Sequence, residues 1–260
     1  MPNWKFINNI FLYDGSFEGL LTIVFNCYIA KEIPFKIIPE KEYLYNILDH
    51  TIFIKTDYEK ADRIFHGISK NICTSALYSA YYAFLSANKN GICQNKEIEI
   101  VKFLLDGFQI GPKVMTMLSV SHVLNVQKLR KNVFGEAHRL KGLVRLQEIG
   151  NNFFYASIHP ENNVIENIGQ FFMKRFPSQN LILHDKNRNI AFLYNLKEYT
   201  IIDMSSISFN PIITENEKQF QSLWKTFFHT IAIKERTNSR CQMQFMPKKY
   251  WKDLIEMQPI

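Results

Sequence analysis

The sequence predicts an α+β protein, with a mostly helical N-terminal half and an antiparallel sheet with packed helices in the C-terminal half. Three observations predict it. Apolar residues recur at helical spacing through most of residues 16–141. After Lys141-Gly142 the pattern changes to short alternating runs separated by turn residues, as in hairpins. The order of those runs, ββαβββα, puts helices on one face of a sheet. Residues 1–141 and 142–260 are therefore read as two regions, with one continuous domain as the alternative, because the break at 142 is a change of pattern and not a flexible linker.

In chain order, Asn9–Tyr13 is expected as a strand and Asp14-Gly15-Ser16 as the turn into a helix. Ser16 caps that helix and Glu18 answers the positive end of its dipole. Phe17, Leu20, Leu21, Val24, Phe25 and Tyr28 form its apolar stripe, and the two prolines of Glu32–Pro39 end it. Thr51–Lys55 alternates as a strand, and Asp57 opens a helix through Ala61, Ile64, Phe65 and Ile68. Helices follow over Ile72–Ala87, Glu97–Leu105, Lys113–Leu118 and His122–Arg139. Beyond them, Leu143–Ile149 and Phe153–His159 make a hairpin across Gly150-Asn151-Asn152, and Asn162–Phe176 is a helix stopped by Pro177. Leu181–Asp185 and Ile190–Tyr194 make a second hairpin, with Tyr199–Met204 as a further strand. Glu215–Glu235 is a long helix with Phe220, Leu223, Trp224, Phe227, Phe228 and Ile231 on one face, and a short helix lies near Lys248–Glu256.

Composition removes several classes. With 47% hydrophobic and 21% charged residues the chain is far from a disordered profile. Its longest apolar runs, such as Gly19–Phe25, fall well short of the roughly 20 residues a bilayer span needs, so no membrane partner is expected. The opening MPNWKFINN carries no apolar secretory stretch, and the expected location is the cytoplasm. Cys27, Cys73, Cys93 and Cys241 stand singly, which argues against a zinc site, an iron–sulfur cluster or a disulfide framework; no metal is expected. No phosphate-cradling glycine loop and no GxSxG elbow occurs, and no cofactor is expected.

The net charge of +7 is unevenly placed. Residues 1–110 hold 11 basic and 12 acidic side chains, whereas residues 111–260 hold 20 and 12. Seven of the eight arginines lie in the later part: Arg130, Arg139, Arg145, Arg175, Arg188, Arg236 and Arg240. Arginine forks onto phosphate with two parallel hydrogen bonds, so this asymmetry points to a polyanionic partner, most simply nucleic acid. The densest cluster, with Arg130, Lys131, His138, Arg139, Lys141 and Arg145, runs along a helix and past its glycine end. Arg236 and Arg240 follow the long helix, and Lys248 and Lys249 precede Tyr250 and Trp251, a basic and aromatic pairing that grips single-stranded bases; the two rings can equally pin a tail onto the core.

The candidate catalytic residues are Glu136, His138, His159, His184 and Asp185. His159 sits where a strand turns toward a helix, and His184-Asp185 closes a strand, places where histidine can serve as general acid, general base, metal ligand or simple cap. An enzyme acting on damaged bases or nucleotides would need these five, remote in sequence, to converge in one pocket.

Several blocks taken together resemble a bacterial family known as a domain of unknown function and labelled a probable DNA metabolism or DNA repair protein. They are Tyr13-Asp14-Gly15-Ser16-Phe17-Glu18-Gly19, Lys55-Thr56-Asp57 with Lys60-Ala61, and Glu136-Ala137-His138-Arg139-Leu140-Lys141-Gly142. Arg175-Phe176-Pro177, His184-Asp185, Glu235-Arg236-Thr237-Asn238 and Met246-Pro247-Lys248-Lys249-Tyr250-Trp251-Lys252 complete the set. The resemblance implies a DNA repair context and a radical SAM protein as partner, for which the near-neutral helical half would act as a scaffold. Similar domains are sometimes fused to a uracil-DNA-glycosylase-like domain. The resemblance supplies no catalytic residues.

Overall fold

A computed structural model describes residues 4–150 and 152–258. The chain divides after Phe134 into two compact units.

The first unit opens with β1 (Lys5–Tyr13), α1 (Phe17–Ala30) and β2 (Glu32–Pro39), and β2 returns parallel to β1. Strand β3 (Thr51–Phe53) pairs parallel with the other side of β1, giving the order β2-β1-β3. Residues Glu32–Pro39, expected to interrupt the chain, are a strand instead. The reason is position: β2 is an edge strand, where prolines remove no hydrogen bond that a neighbour needs. The helix caps are as expected. Ser16 Oγ accepts from the Gly19 amide at 2.9 Å, and Asp57 Oδ1 accepts from the Lys60 amide at 3.1 Å to start α2 (Tyr58–Gly67). Then come α3 (Thr74–Phe84), α4 (Lys96–Ile110) and α5 (Ser121–Leu143); the division between the units falls inside α5. Phe11, Tyr13, Ile33 and Ile37 of the sheet pack with α1, α2, α3, α4 and the start of α5 in one buried apolar cluster.

The second unit is built on a five-stranded sheet in the order β4-β5-β6-β7-β8: β4 (Gln147–Gly150), β5 (Phe153–Ile158), β6 (Asn180–Asp185), β7 (Ile190–Tyr194) and β8 (Tyr199–Asp203). Both expected hairpins are present, although the turn residue Asn151, like Met1–Asn3, lies outside the described residues. The α+β class stands, but the sheet is mixed and not wholly antiparallel. Helix α6 (Ile165–Arg175) crosses over between β5 and β6 and leaves those two strands parallel, which a local hydrophobic pattern does not reveal. Gly169 makes the crossover possible, because a Cβ there would stand 2.4 Å from ring atoms of Phe192 on β7. Helices α7 (Glu215–Thr230) and α8 (Ser239–Phe245) follow, and the chain closes in short 3-10 turns over Lys248–Asp253 and Ile255–Met257. No helix among the described residues is long and apolar enough to cross a membrane, and the four cysteines are free.

Candidate nucleic-acid interface

Two of the candidate carboxylates hold one loop. As β5 ends at Ile158, residues 159–162 turn toward α6, and the buried carboxylate of Glu136 on α5 collects their donors. Its Oε1 accepts from the Glu161 amide at 2.9 Å and the Tyr250 hydroxyl at 2.7 Å. Its Oε2 accepts from the Asn162 amide and from Asn162 Nδ2, both at 2.7 Å. Burial pushes the Glu136 carboxyl up, but these donors and the Lys249 ammonium outweigh that and hold it below the ordinary glutamate value. Asp185, fully buried, accepts from the amides of Asn187 and Arg188 and from Arg188 Nη1 at 3.0 Å. The Arg188 guanidinium then donates to the carbonyls of Pro160 and Glu161. Glu136 and Asp185 are thus occupied as loop anchors.

The remaining candidates separate. Strand alternation puts Tyr155, Ser157 and His159 on one face of β5, with His184 paired beside Ser157 on that face. Asp253 approaches from the closing 3-10 turn, with Oδ1 at 2.8 Å from His159 Nδ1 and accepting from Ser157 Oγ at 3.4 Å. The Tyr155 hydroxyl lies 3.3 Å from His184 Nδ1, and His184 Nε2 lies 3.3 Å from Asn189 Oδ1. Burial lowers the His184 pKa, raises that of Asp253 and pushes the Tyr155 phenol up to about 12. A carboxylate on Nδ1 leaves Nε2 of His159 as the proton-accepting nitrogen. Of the five expected residues, then, His159 and His184 share a face, Glu136 and Asp185 anchor the loop, and His138 is exposed on α5. Asp253 was absent from the expected set; 94 residues separate it from His159 and no spacing signals the pair. Among the described residues, no three His, Cys, Asp or Glu side chains are placed to hold a metal ion.

The basic residues also divide. A cavity of about 590 Å³ in the second unit is lined by Lys141, Arg145 and Arg175 together with Phe172, Phe176, Phe220 and Trp224. Arg145 is neutralised there: its Nε and Nη2 donate to the buried Glu256 carboxylate at 3.2 and 2.6 Å, and Nη1 donates to the carbonyls of Gly142 and Val144. Trp224 Nε1 donates to the same Glu256 at 3.1 Å, and the guanidinium lies 5.8 Å above the indole. Lys141, over the Phe171 ring, and the exposed Arg175, over Phe176, make no ion pair in the structure as described. Phe220, Trp224 and Phe227 follow one another along α7, and the last two are stacked with ring centroids 5.8 Å apart.

Around Tyr250 the arrangement is internal. The ring is buried and its hydroxyl is held by Glu136, so of the two expected roles Tyr250 takes that of a pin on the core and presents no face on which a base could stack. Lys249 lies over that ring and pairs with Glu161 at 3.0 Å. Trp251 is half-buried with Nε1 donating to the Met246 carbonyl, and Lys248 lies over its ring. Arg236 and Arg240 are exposed and do not line the cavity. Arg130 and Lys131 belong to the first unit, where Arg130 packs over Phe134 and Lys131 is exposed on α5. Composition and spacing singled out Lys141 and Arg145; Arg175 and Trp224 join them only in the fold.

Among solved structures, a pGpG-specific phosphodiesterase, PggH from Vibrio cholerae, is similar over 86% of this chain and 100% of its own, at 9% identity and a TM-score of 0.36. No curated protein matches. A family model described as a domain of unknown function, DUF4130, matches residues 94–256. That stretch is more than half of the sequence, and the chain belongs to the DUF4130 family.

Proposed function

We propose that this protein binds single-stranded nucleic acid at the cavity of its second unit and serves DNA metabolism as an accessory protein. The observation that carries the reading is the meeting of Lys141 and Arg175 with Phe220 and Trp224 in the lining of a cavity of about 590 Å³, with Phe227 stacked on Trp224. Unpaired cations supply phosphate contacts, and exposed rings supply sequence-tolerant stacking of about 1–3 kcal/mol per base. Glu256 fixes both Arg145 and Trp224, so the indole is presented in one orientation before any ligand arrives.

Fluorescence anisotropy with labelled single- and double-stranded oligonucleotides across a salt series tests this. Two phosphate contacts predict a log–log salt slope near −1.4 for a single strand. The double variant Lys141→Ala/Arg175→Ala should flatten that slope and weaken binding about tenfold or more at low salt, and Trp224→Ala should weaken binding without changing the slope. No binding at low salt, or binding indifferent to the double variant, overturns the reading.

A second reading, chemistry on damaged bases or nucleotides, is favoured by the 2.8 Å approach of Asp253 to His159. In that reading His159→Ala abolishes a mass change in lesion-bearing oligonucleotides or nucleotides. A panel of such substrates left unaltered by the intact protein removes it.

A further inference from the structure

Resting on the reading that single-stranded nucleic acid binds at the cavity of the second unit, we propose that the cavity holds one unpaired nucleotide with its two flanking phosphates and does not track a continuous strand. Size is the first ground. Cavities of about 300–1,000 Å³ each bury one drug-sized molecule, and a nucleotide of about 20 heavy atoms is such a molecule. The cavity here measures about 590 Å³. Modules that follow a strand use a basic groove spanning about 4–16 nucleotides. Phe172, Phe176, Phe220 and Trp224 are the rings in the lining, whereas Phe227, stacked on Trp224, lies outside it.

Charge leads to the same unit. Among the described residues, Lys141, Arg145 and Arg175 are the cations of the lining, and Glu256 already cancels Arg145. Two cations remain, one for the phosphate on each side of a nucleotide. A carboxylate stands in the same lining. Glu217 accepts from the Glu148 amide at 3.2 Å and from Gln221 Nε2 at 2.9 Å; both donors are neutral, so they leave its charge uncancelled. A third phosphate drawn into the cavity meets that charge and finds no free cation.

Gln221, also in the lining, supplies the contact to the base. An ionised carboxylate only accepts, so Glu217 fixes which end of the Gln221 amide faces it. The Gln221 carbonyl and its second N–H are left over. Every one of the four bases carries a donor and an acceptor side by side on its edge, so this amide can meet any of them.

Competition against a labelled oligothymidine of about 12 nucleotides, followed by anisotropy on the intact chain, tests the proposal. Thymidine 3′,5′-bisphosphate should displace the strand completely, and thymidine should not. The bisphosphate's affinity should fall within about tenfold of the strand's, the difference being the number of registers a longer strand offers. Gln221→Leu should weaken the bisphosphate about three- to tenfold and leave an abasic 3′,5′-bisphosphate unchanged. A strand that binds and loses affinity in Lys141→Ala/Arg175→Ala, but that the bisphosphate fails to displace, overturns the one-nucleotide unit while the nucleic-acid reading stands. Affinity rising about a hundredfold or more between two and 12 nucleotides does the same. Equal losses for both bisphosphates in Gln221→Leu overturn the base contact. Absence of binding by strand and bisphosphate alike removes the inference together with the reading beneath it.

Discussion

Glu136→Ala is expected to lower the stability of the second unit by about 3–5 kcal/mol, a fall of about 10–20 °C in its melting temperature. The carboxylate accepts from two loop amides, one side-chain amide and the Tyr250 hydroxyl, and it is almost fully buried. Alanine leaves those donors inside the protein with no water to replace the oxygen atoms, and an unmet buried donor is worth about 1–3 kcal/mol on its own. Differential scanning calorimetry resolves the effect, and a loss below 1 kcal/mol would show that solvent reaches the site. Acid adds a second signature. Burial raises the Glu136 pKa, but the Asn162, Glu161 and Tyr250 donors prevail and hold it below 4.5. A group whose folded-state pKa is depressed contributes fully above its unfolded value and loses that contribution as pH falls through the folded one. Urea unfolding should therefore show stability declining below about pH 4.5, with a shallower decline in Glu136→Gln.

Glu256→Ala is expected to remove about 3 kcal/mol, because it leaves the largely buried Arg145 without its counter-charge and Trp224 without its acceptor. Glu256→Gln separates two roles of this residue. The amide oxygen still accepts from the indole, while the charge that cancels Arg145 is gone. In that variant the melting temperature falls, yet single-stranded DNA binds more tightly at low salt, and the salt slope steepens by about 0.7 as one more cation faces phosphate. Stability and affinity moving in opposite directions is the informative outcome. Affinity that falls with stability would mean that Arg145 acts only as a prop for the cavity wall.

Local chemistry explains which features were legible in the sequence. Ser16 and Asp57 cap their helices through bonds to amides three residues away, so a short window holds the whole signal. The alternating runs of β6 and β7 meet across a tight turn and pair as expected. What escaped depends on distant partners. Strand β2 was concealed by Pro34 and Pro39, which only its place at the sheet edge makes acceptable. The parallel pairing of β5 with β6 follows from a crossover through α6. At the candidate site, charge density pointed to Lys141 and Arg145, but the carboxylate that neutralises Arg145 is 111 residues further on. For Tyr250 the sequence left two roles open, a stacking ring and a pin for the tail; the fold turns its ring inward to meet Glu136, 114 residues earlier, which no local pattern signals.

The closing turns have a consequence for how the protein is made. Tyr250, Asp253 and Glu256 supply the partners of Glu136, His159 and Arg145. Chains begin to fold from the N-terminal side while the ribosome is still adding residues at about 5–20 per second. During synthesis the first unit can complete its core early, whereas the second keeps three vacant positions until residue 256 has cleared the exit tunnel. For that interval the nascent sheet is exposed to chaperones and proteases, and a stop codon at position 249 would release a product with all three positions unfilled.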